Sequence, residues 1–119
     1  MFSAGVDLSD LTQLAGVIQG KDDIAGKSMS VYQTLLQAQG FITSLEKCKK
    51  PIICCIHNAC VGAGVERIIA TDNRMSTSDT WFCVKEVDMG LAADVGTLQR
   101  LPEVIGSHSL VNDLRLKMN

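Results

Sequence analysis

The chain has 119 residues and a formal net charge of −2, from 11 Lys and Arg against 13 Asp and Glu. Hydrophobic residues make up 46% and aromatic residues 4%. That is enough apolar content for one small packed domain, with too few aromatics and too little positive charge for a nucleic-acid or anionic-membrane surface. The longest apolar run, Pro51 to Ile56, is too short to span a bilayer. The first residues, Met1 to Gly5, carry neither the basic nor the apolar part of a signal peptide.

The elements follow in chain order. Residues 1–8 read as a strand end and a glycine turn. Residues 9–27, punctuated by Gly16, Gly20 and Gly26, read as a loop or short helix. Met29, Tyr32, Leu35, Leu36, Ile42 and Leu45 recur at helical spacing and predict a helix over 28–46. Ser28 is its expected N-cap, Lys47, Lys49 and Lys50 suit its C-terminal end, and Pro51 is the expected stop. Pro51 to His57 is continuously apolar and β-branched, which predicts a strand buried on both faces. Asn58 to Ala63 read as a loop and Gly64 to Ala70 as a helix. Short strands are expected at Arg74-Met75 and at Trp81 to Val84. A loop is expected over 85–93, a helix over Asp94 to Leu101 stopped by Pro102, and a last helix over Ser107 to Leu116. Strand, small-residue loop and helix in that order predict an α/β fold.

The cysteines, Cys48, Cys54, Cys55, Cys60 and Cys83, are odd in number and include no Cys-x-x-Cys pair. They suit a reducing compartment, and they supply neither a disulfide scaffold nor the second ligand pair of a zinc site, so no metal is expected. Adjacent Cys54 and Cys55 read as small buried hydrophobes. Cys60 near His57 invites a nucleophile–base reading, although such a dyad is defined by geometry and not by spacing.

Two features point to chemistry. Cys60-Val-Gly62-Ala63-Gly64-Val-Glu66 places small residues before a helix start, where backbone N–H groups meet a phosphate or a developing oxyanion, or where the chain simply turns tightly. A nicotinamide-dinucleotide fingerprint would need a third glycine where Arg67 stands. The second feature is the acids Glu66, Glu86 and Asp94. Singly they read as helix-start charges or, for Glu86, as half of an ion pair with Lys85. Together, near an anion hole, they read as a site for proton transfer next to a carbonyl.

Taken together, Phe2 to Leu8, Lys50-Pro51-Ile52, Ile56-His57-x-x-Cys60-x-Gly62-x-Gly64 and Asp72-x-Arg74 resemble the enoyl-CoA hydratase/isomerase (crotonase) superfamily. Val84 to Pro102, with its Leu-Ala-Ala-Asp94-Val-Gly core, is most similar to the dienoyl-CoA isomerase branch, and the match extends to about Leu114. The resemblance implies a spiral of ββα units and C-terminal helices that pack in trimers or hexamers. It implies a fatty-acid β-oxidation enzyme of mitochondria or peroxisomes, isomerising 3,5-dienoyl-CoA to 2,4-dienoyl-CoA. Coenzyme A is then part of the substrate, and no separate cofactor is implied. By position, the N–H groups of Val6 and Ala63 fall at the oxyanion hole, and Ala4, Val6 and Leu8 at the adenine-binding segment. Glu86 and Asp94 match the acid–base pair.

Some positions depart from the pattern. Glu66 stands where the isomerases carry Asp, and Glu66 with Glu86 would suit a hydratase. Ala63 and Asn58 replace glycines, and Asn73 replaces an apolar strand residue. The resemblance also implies, from the greater length of family members, that residues 1–119 are one partial α/β crotonase-like domain lacking N-terminal units and the trimerisation helices. An alternative is a non-catalytic paralogue that binds acyl-CoA or joins a heteromer. Half a spiral leaves apolar surface uncovered, so the purified chain is expected to be poorly stable or to self-associate. Sedimentation and thermal melting check this; a cooperative melt of a monomer refutes it.

Overall fold

A computed structural model describes residues 1–10, Thr12, Gly16 and residues 23–106. The expected helix over 107–116 and most of the expected loop over 9–27 lie outside them. Leu8 to Asp10 are helical, and the Asp7 carboxylate caps that turn by accepting from the Ser9 N–H at 2.8 Å.

The long helix α1 spans Ile24–Glu46. It starts a full turn earlier than its apolar spacing suggests, because the Asp23 side chain accepts from the Gly26 N–H and so caps the first turn. It ends at Glu46, ahead of Pro51, with the Lys47 N–H closing on the Thr43 carbonyl at 3.0 Å. Lys49 and Lys50 thus lie beyond the helix end.

Two ββα turns follow. Strands β1 (Ile53–Ile56) and β2 (Ala59–Val61) lead into α2 (Ala63–Ile69). Strands β3 (Asn73–Ser76) and β4 (Trp81–Cys83) lead into α3 (Lys85–Asp88). β1 lies parallel to β3, with Ile53 opposite Asn73 and Ile56 opposite Ser76. β2 lies parallel to β4, with Ala59 opposite Trp81 and Val61 opposite Cys83. Each strand therefore pairs with its counterpart one turn later, which is a spiral. The N-terminal segment supplies a third layer, since Ser3 makes a parallel bridge to Cys60.

Several sequence expectations change here. Residues 58–63 contain a strand, because β2 has a partner on each side. Asn58 turns the corner between β1 and β2 at φ 56°, a conformation asparagine tolerates, and its side chain accepts from the Ala59 N–H at 2.7 Å. β1 is not buried on both faces: Ile56 is 3% exposed but Ile53 is 61% exposed. Cys55 is exposed and Cys54 half-buried, so neither is a fully buried hydrophobe. One side of β1 packs on the core, and among the described residues nothing covers the other. Asn73 fits because β3 is exposed along its length. Lys85–Asp88 forms a helical turn within the expected loop.

The last described helix, α4, spans Thr97–Ile105. Gly96, at φ 128°, precedes it, and Pro102 sits inside it. Pro102 removes one bond, to the carbonyl of Leu98, a residue 55% exposed, so the helix continues to Ile105. Arg100 ties α4 to α1, donating to Glu46 at 2.7 and 3.1 Å and to Thr43 at 3.1 Å.

The core is Ile56, Cys60, Val65, Ile68 and Ile69, with Phe2, Phe82, Val84 and Leu101 packed around it. Asp72 and Arg74 serve this frame: Asp72 accepts from the Ile52 N–H at 2.8 Å, and Arg74 donates to the Ile68 and Thr71 carbonyls at the end of α2. Gly64 lets α2 approach the N-terminal segment. A Cβ there would lie 2.6 Å from the Ser3 Cβ and 2.8 Å from its Oγ. Gly64→Ala is therefore expected to destabilise the chain by about 1–3 kcal/mol through overpacking, read as a lower denaturant midpoint.

Candidate active site

The site begins with two backbone segments drawn together. The Phe2 and Ser3 N–H groups donate to the Ala59 carbonyl at 3.0 and 3.1 Å, and the Val61 N–H donates to the Ser3 carbonyl at 3.0 Å. One step further, Gly5 (φ 101°) and Gly62 (φ 52°) meet: a Cβ on Gly62 would lie 3.7 Å from the Gly5 Cα. Both glycines adopt a conformation that L side chains rarely reach. The Gly62 N–H is occupied by the Cys83 carbonyl at 2.8 Å.

Val6 and Ala63 directly follow these glycines. Ala63 opens α2, so its N–H has no acceptor within the helix. Among the described residues, the Val6 N–H enters none of the segment's hydrogen bonds. The positive φ falls on Gly62, and alanine at 63 therefore costs no backbone strain. Ala4, Val6 and Leu8 are exposed along the same segment.

The acids come from three elements. Glu66, in the first turn of α2, is 3% exposed, and its Oε1 accepts from the Thr97 hydroxyl at 3.3 Å. Burial first, and then the Glu86 charge, raise its carboxyl above the ordinary glutamate value; the Thr97 hydroxyl opposes this, Asp94 adds to it, and the Val95 N–H opposes it. This is more than a surface charge at a helix start.

Glu86 lies on α3. Its Oε1 would be 3.2 Å from a Cβ on Gly62, which places the carboxylate beside the paired glycines. Its Oε2 is buried, with no hydrogen-bond partner among the described residues. The expected ion pair with Lys85 does not form, since Lys85 bonds Asp88 at 2.8 Å.

Asp94 lies in the link before α4 and does not cap that helix. Its carbonyl accepts from Gln39 Nε2 on α1 at 2.7 Å. It also lines an open cleft of about 280 Å3 between α1 and α4, with Gln39, Thr43, Glu46 and Arg100. That cleft contains neither Glu86 nor the two amides, so it is not where the other groups converge.

The Cys60–His57 pairing fails on burial, with Cys60 sealed in the core and His57 exposed. Cys60 is 0% exposed, and burial pushes its thiol up to about 11, so it is a core residue and no nucleophile. The His57 ring packs edge-on against Phe2, with centroids 6.4 Å apart. Thr97 is the residue that sequence reasoning passed over. A hydroxyl three positions after Asp94, inside the helix expected over Asp94 to Leu101, was the available signal.

Two exposed-segment amides with the Glu86 carboxylate beside their glycines form an arrangement suited to moving a proton next to a bound carbonyl, while Glu66 and Asp94 lie behind and to one side of it. The turns themselves follow the crotonase fold. A protein from Thermobifida fusca YX described as an enoyl-CoA hydratase, solved with acetoacetyl-CoA, superposes with a TM-score of 0.76 at 24% identity, covering 95% of this chain and 44% of that one. An enoyl-CoA hydratase from Shewanella pealeana gives 0.73 at 22% identity, covering 93% and 38%. The family model described as Enoyl-CoA hydratase/isomerase matches residues 1–117, and the chain belongs to that family. It is 50% identical over 115 residues to the mitochondrial Delta(3,5)-Delta(2,4)-dienoyl-CoA isomerase of Pongo abelii, covering 96% of this chain and 34% of that protein. It is 40% identical to the peroxisomal enzyme of the same name from Arabidopsis thaliana, covering 88% and 38%. The chain thus spans little more than a third of these relatives.

The Glu66 shift has a consequence for stability. The folded chain holds this proton to higher pH than the unfolded chain does. The stabilisation is therefore complete below the reference value of 4.5 and is lost as pH rises through the raised folded value. Glu66→Gln is expected to flatten that decline, as followed by urea midpoints between about pH 4 and 8. An unchanged pH slope would contradict the assignment.

Proposed function

We infer that this chain carries the oxyanion and acid–base parts of a dienoyl-CoA isomerase. The observation that carries the reading is the Glu86 carboxylate, set beside the Gly5–Gly62 contact with one buried oxygen unpaired. A thioester oxygen received by the Val6 and Ala63 N–H groups would place the acyl carbons next to it. Removal of a donor from such an oxyanion hole costs about 100–1,000-fold in kcat in well-studied cases.

The reaction balances with two carboxyl groups. A carboxylate takes a proton from C2 of the 3,5-dienoyl thioester, and the electron pair moves onto the thioester oxygen as an enolate. The carbonyl re-forms, the double bonds move to C2–C3 and C4–C5, and the second carboxyl delivers a proton to C6. Glu86 and Asp94 are the acid–base pair in this reading, with Glu66 close to both. Coenzyme A is part of the substrate, and no other cofactor takes part. Ala4, Val6 and Leu8 would offer backbone carbonyls to the adenine.

Enoyl-CoA hydration is the nearest alternative, with Glu66 and Glu86 activating water. Burial of Glu66 and its bond to Thr97 favour the isomerase, because a hydratase needs that carboxyl open to water. A non-catalytic acyl-CoA binder or heteromer subunit is the third reading. The names of the relatives support a mitochondrial or peroxisomal setting, and the family's trimers and hexamers suggest homo-oligomers.

The test follows the ultraviolet absorbance of a 3,5-dienoyl-CoA for appearance of the conjugated 2,4 product. Glu86→Gln and Asp94→Asn are each expected to lower kcat by about 100-fold or more. Full activity in both variants refutes the roles. Acyl-CoA binding without turnover in the unaltered chain supports the third reading instead.

A further inference from the structure

Thr97 is 2% exposed and opens α4, while Glu66 is 3% exposed in the first turn of α2. Their 3.3 Å bond joins two elements 31 residues apart in sequence. A hydroxyl buried this deeply needs a polar partner, and Thr97 finds it on a carboxyl within electrostatic reach of two other acids. The charged groups acting on Glu66 are Glu86, from α3, and Asp94, from the link before α4. Both act to raise the Glu66 carboxyl, so only hydrogen bonds favour its ionised form. The Val95 N–H supplies one and Thr97 the only one from a side chain among the groups acting on it.

We propose that Thr97 is a positioning residue of this site: its hydroxyl fixes the buried Glu66 carboxyl in one orientation toward Glu86 and Asp94. This deepens the isomerase reading and rests on it for its catalytic meaning. A glutamate held at one rotamer presents a constant field to the acid–base pair, whereas a released one would turn within the pocket and change that field from state to state. The Gly96 turn sets the hydroxyl in place. At φ 128° it admits no ordinary side chain, and a Cβ there would collide with the Arg100 guanidinium. The α1–α4 clamp through Arg100 and the Thr97–Glu66 bond therefore depend on the same glycine.

The decisive measurement needs no turnover. The Glu66 carboxyl is followed by carbon-13 NMR through a pH titration of the 119-residue chain and assigned by its loss in Glu66→Gln. Thr97→Val removes a donor to the ionised form, so its midpoint is expected to move up. Thr97→Ser keeps the hydroxyl and is expected to titrate with the unaltered chain. If the valine variant does not fold, Thr97→Ala gives the same comparison. An unmoved midpoint in the variant lacking the hydroxyl, or a serine variant displaced as far, overturns the proposal.

In turnover, Thr97→Val is expected to lower kcat by about 10-fold with KM within about twofold, and serine is expected to restore it. A moved midpoint in a chain with no turnover would sink the isomerase reading and leave the Thr97–Glu66 assignment standing. Turnover with an unmoved midpoint would do the reverse.

Discussion

The parallel bridge between Ser3 and Cys60 is the constraint on which the site depends. It joins the N-terminal segment to the edge of β2, and the hydrogen bonds around it fix the register of the two chains. Each such bond contributes only about 1 kcal/mol net. Their value lies in geometry: with Ser3 opposite Cys60, Gly5 must fall against Gly62. The two residues that follow then carry the amide pair. A slip by one residue would reverse the faces of the segment and set side chains where two backbones now touch.

The spiral builds outward from this point. Each ββα turn is too small to bury its own strands, so β2 relies on Ser3 on one side and β4 on the other. Among the described residues the core cluster is correspondingly modest, with four buried aliphatic side chains, Ile56, Val65, Ile68 and Ile69, and the Cys60 thiol. Because the Gly62 N–H is held by Cys83, the strand just before α3 is tied to the glycine contact. That tie is why Glu86, three residues after Cys83, reaches the paired glycines while Lys85 turns outward to Asp88.

The acids place opposite demands on their surroundings. Glu66 is buried, which disfavours its charge, and the neighbouring Glu86 and Asp94 charges add to the cost. Thr97 and the Val95 N–H offset part of it. Three carboxyls brought within electrostatic reach are unfavourable for a fold that needs only stability, and such conflicts concentrate where chemistry is done. The link carrying Asp94 is held from outside by Gln39, and α4 is held by Arg100 against Glu46. A long helix remote from the amides thereby fixes one of the three acids.

Sequence alone determined the elements that local physics controls. Helical spacing located α1, a small-residue run located the turn into α2, and three acids beside it suggested proton transfer. Motif resemblance then supplied the family. Local rules failed where a partner decided the outcome. β2 is a strand only because chains lie on both sides of it, and β1 exposes Ile53 because nothing among the described residues packs there. α4 continues through Pro102 because the orphaned carbonyl lies at a residue half open to solvent. Which acids come within electrostatic reach of Glu66, which cysteine is sealed in the core and which hydroxyl meets Glu66 were decided by tertiary structure, since these residues lie tens of positions apart or on different elements. Spacing along the chain carries no information about distance across a spiral until the register of its strands is set.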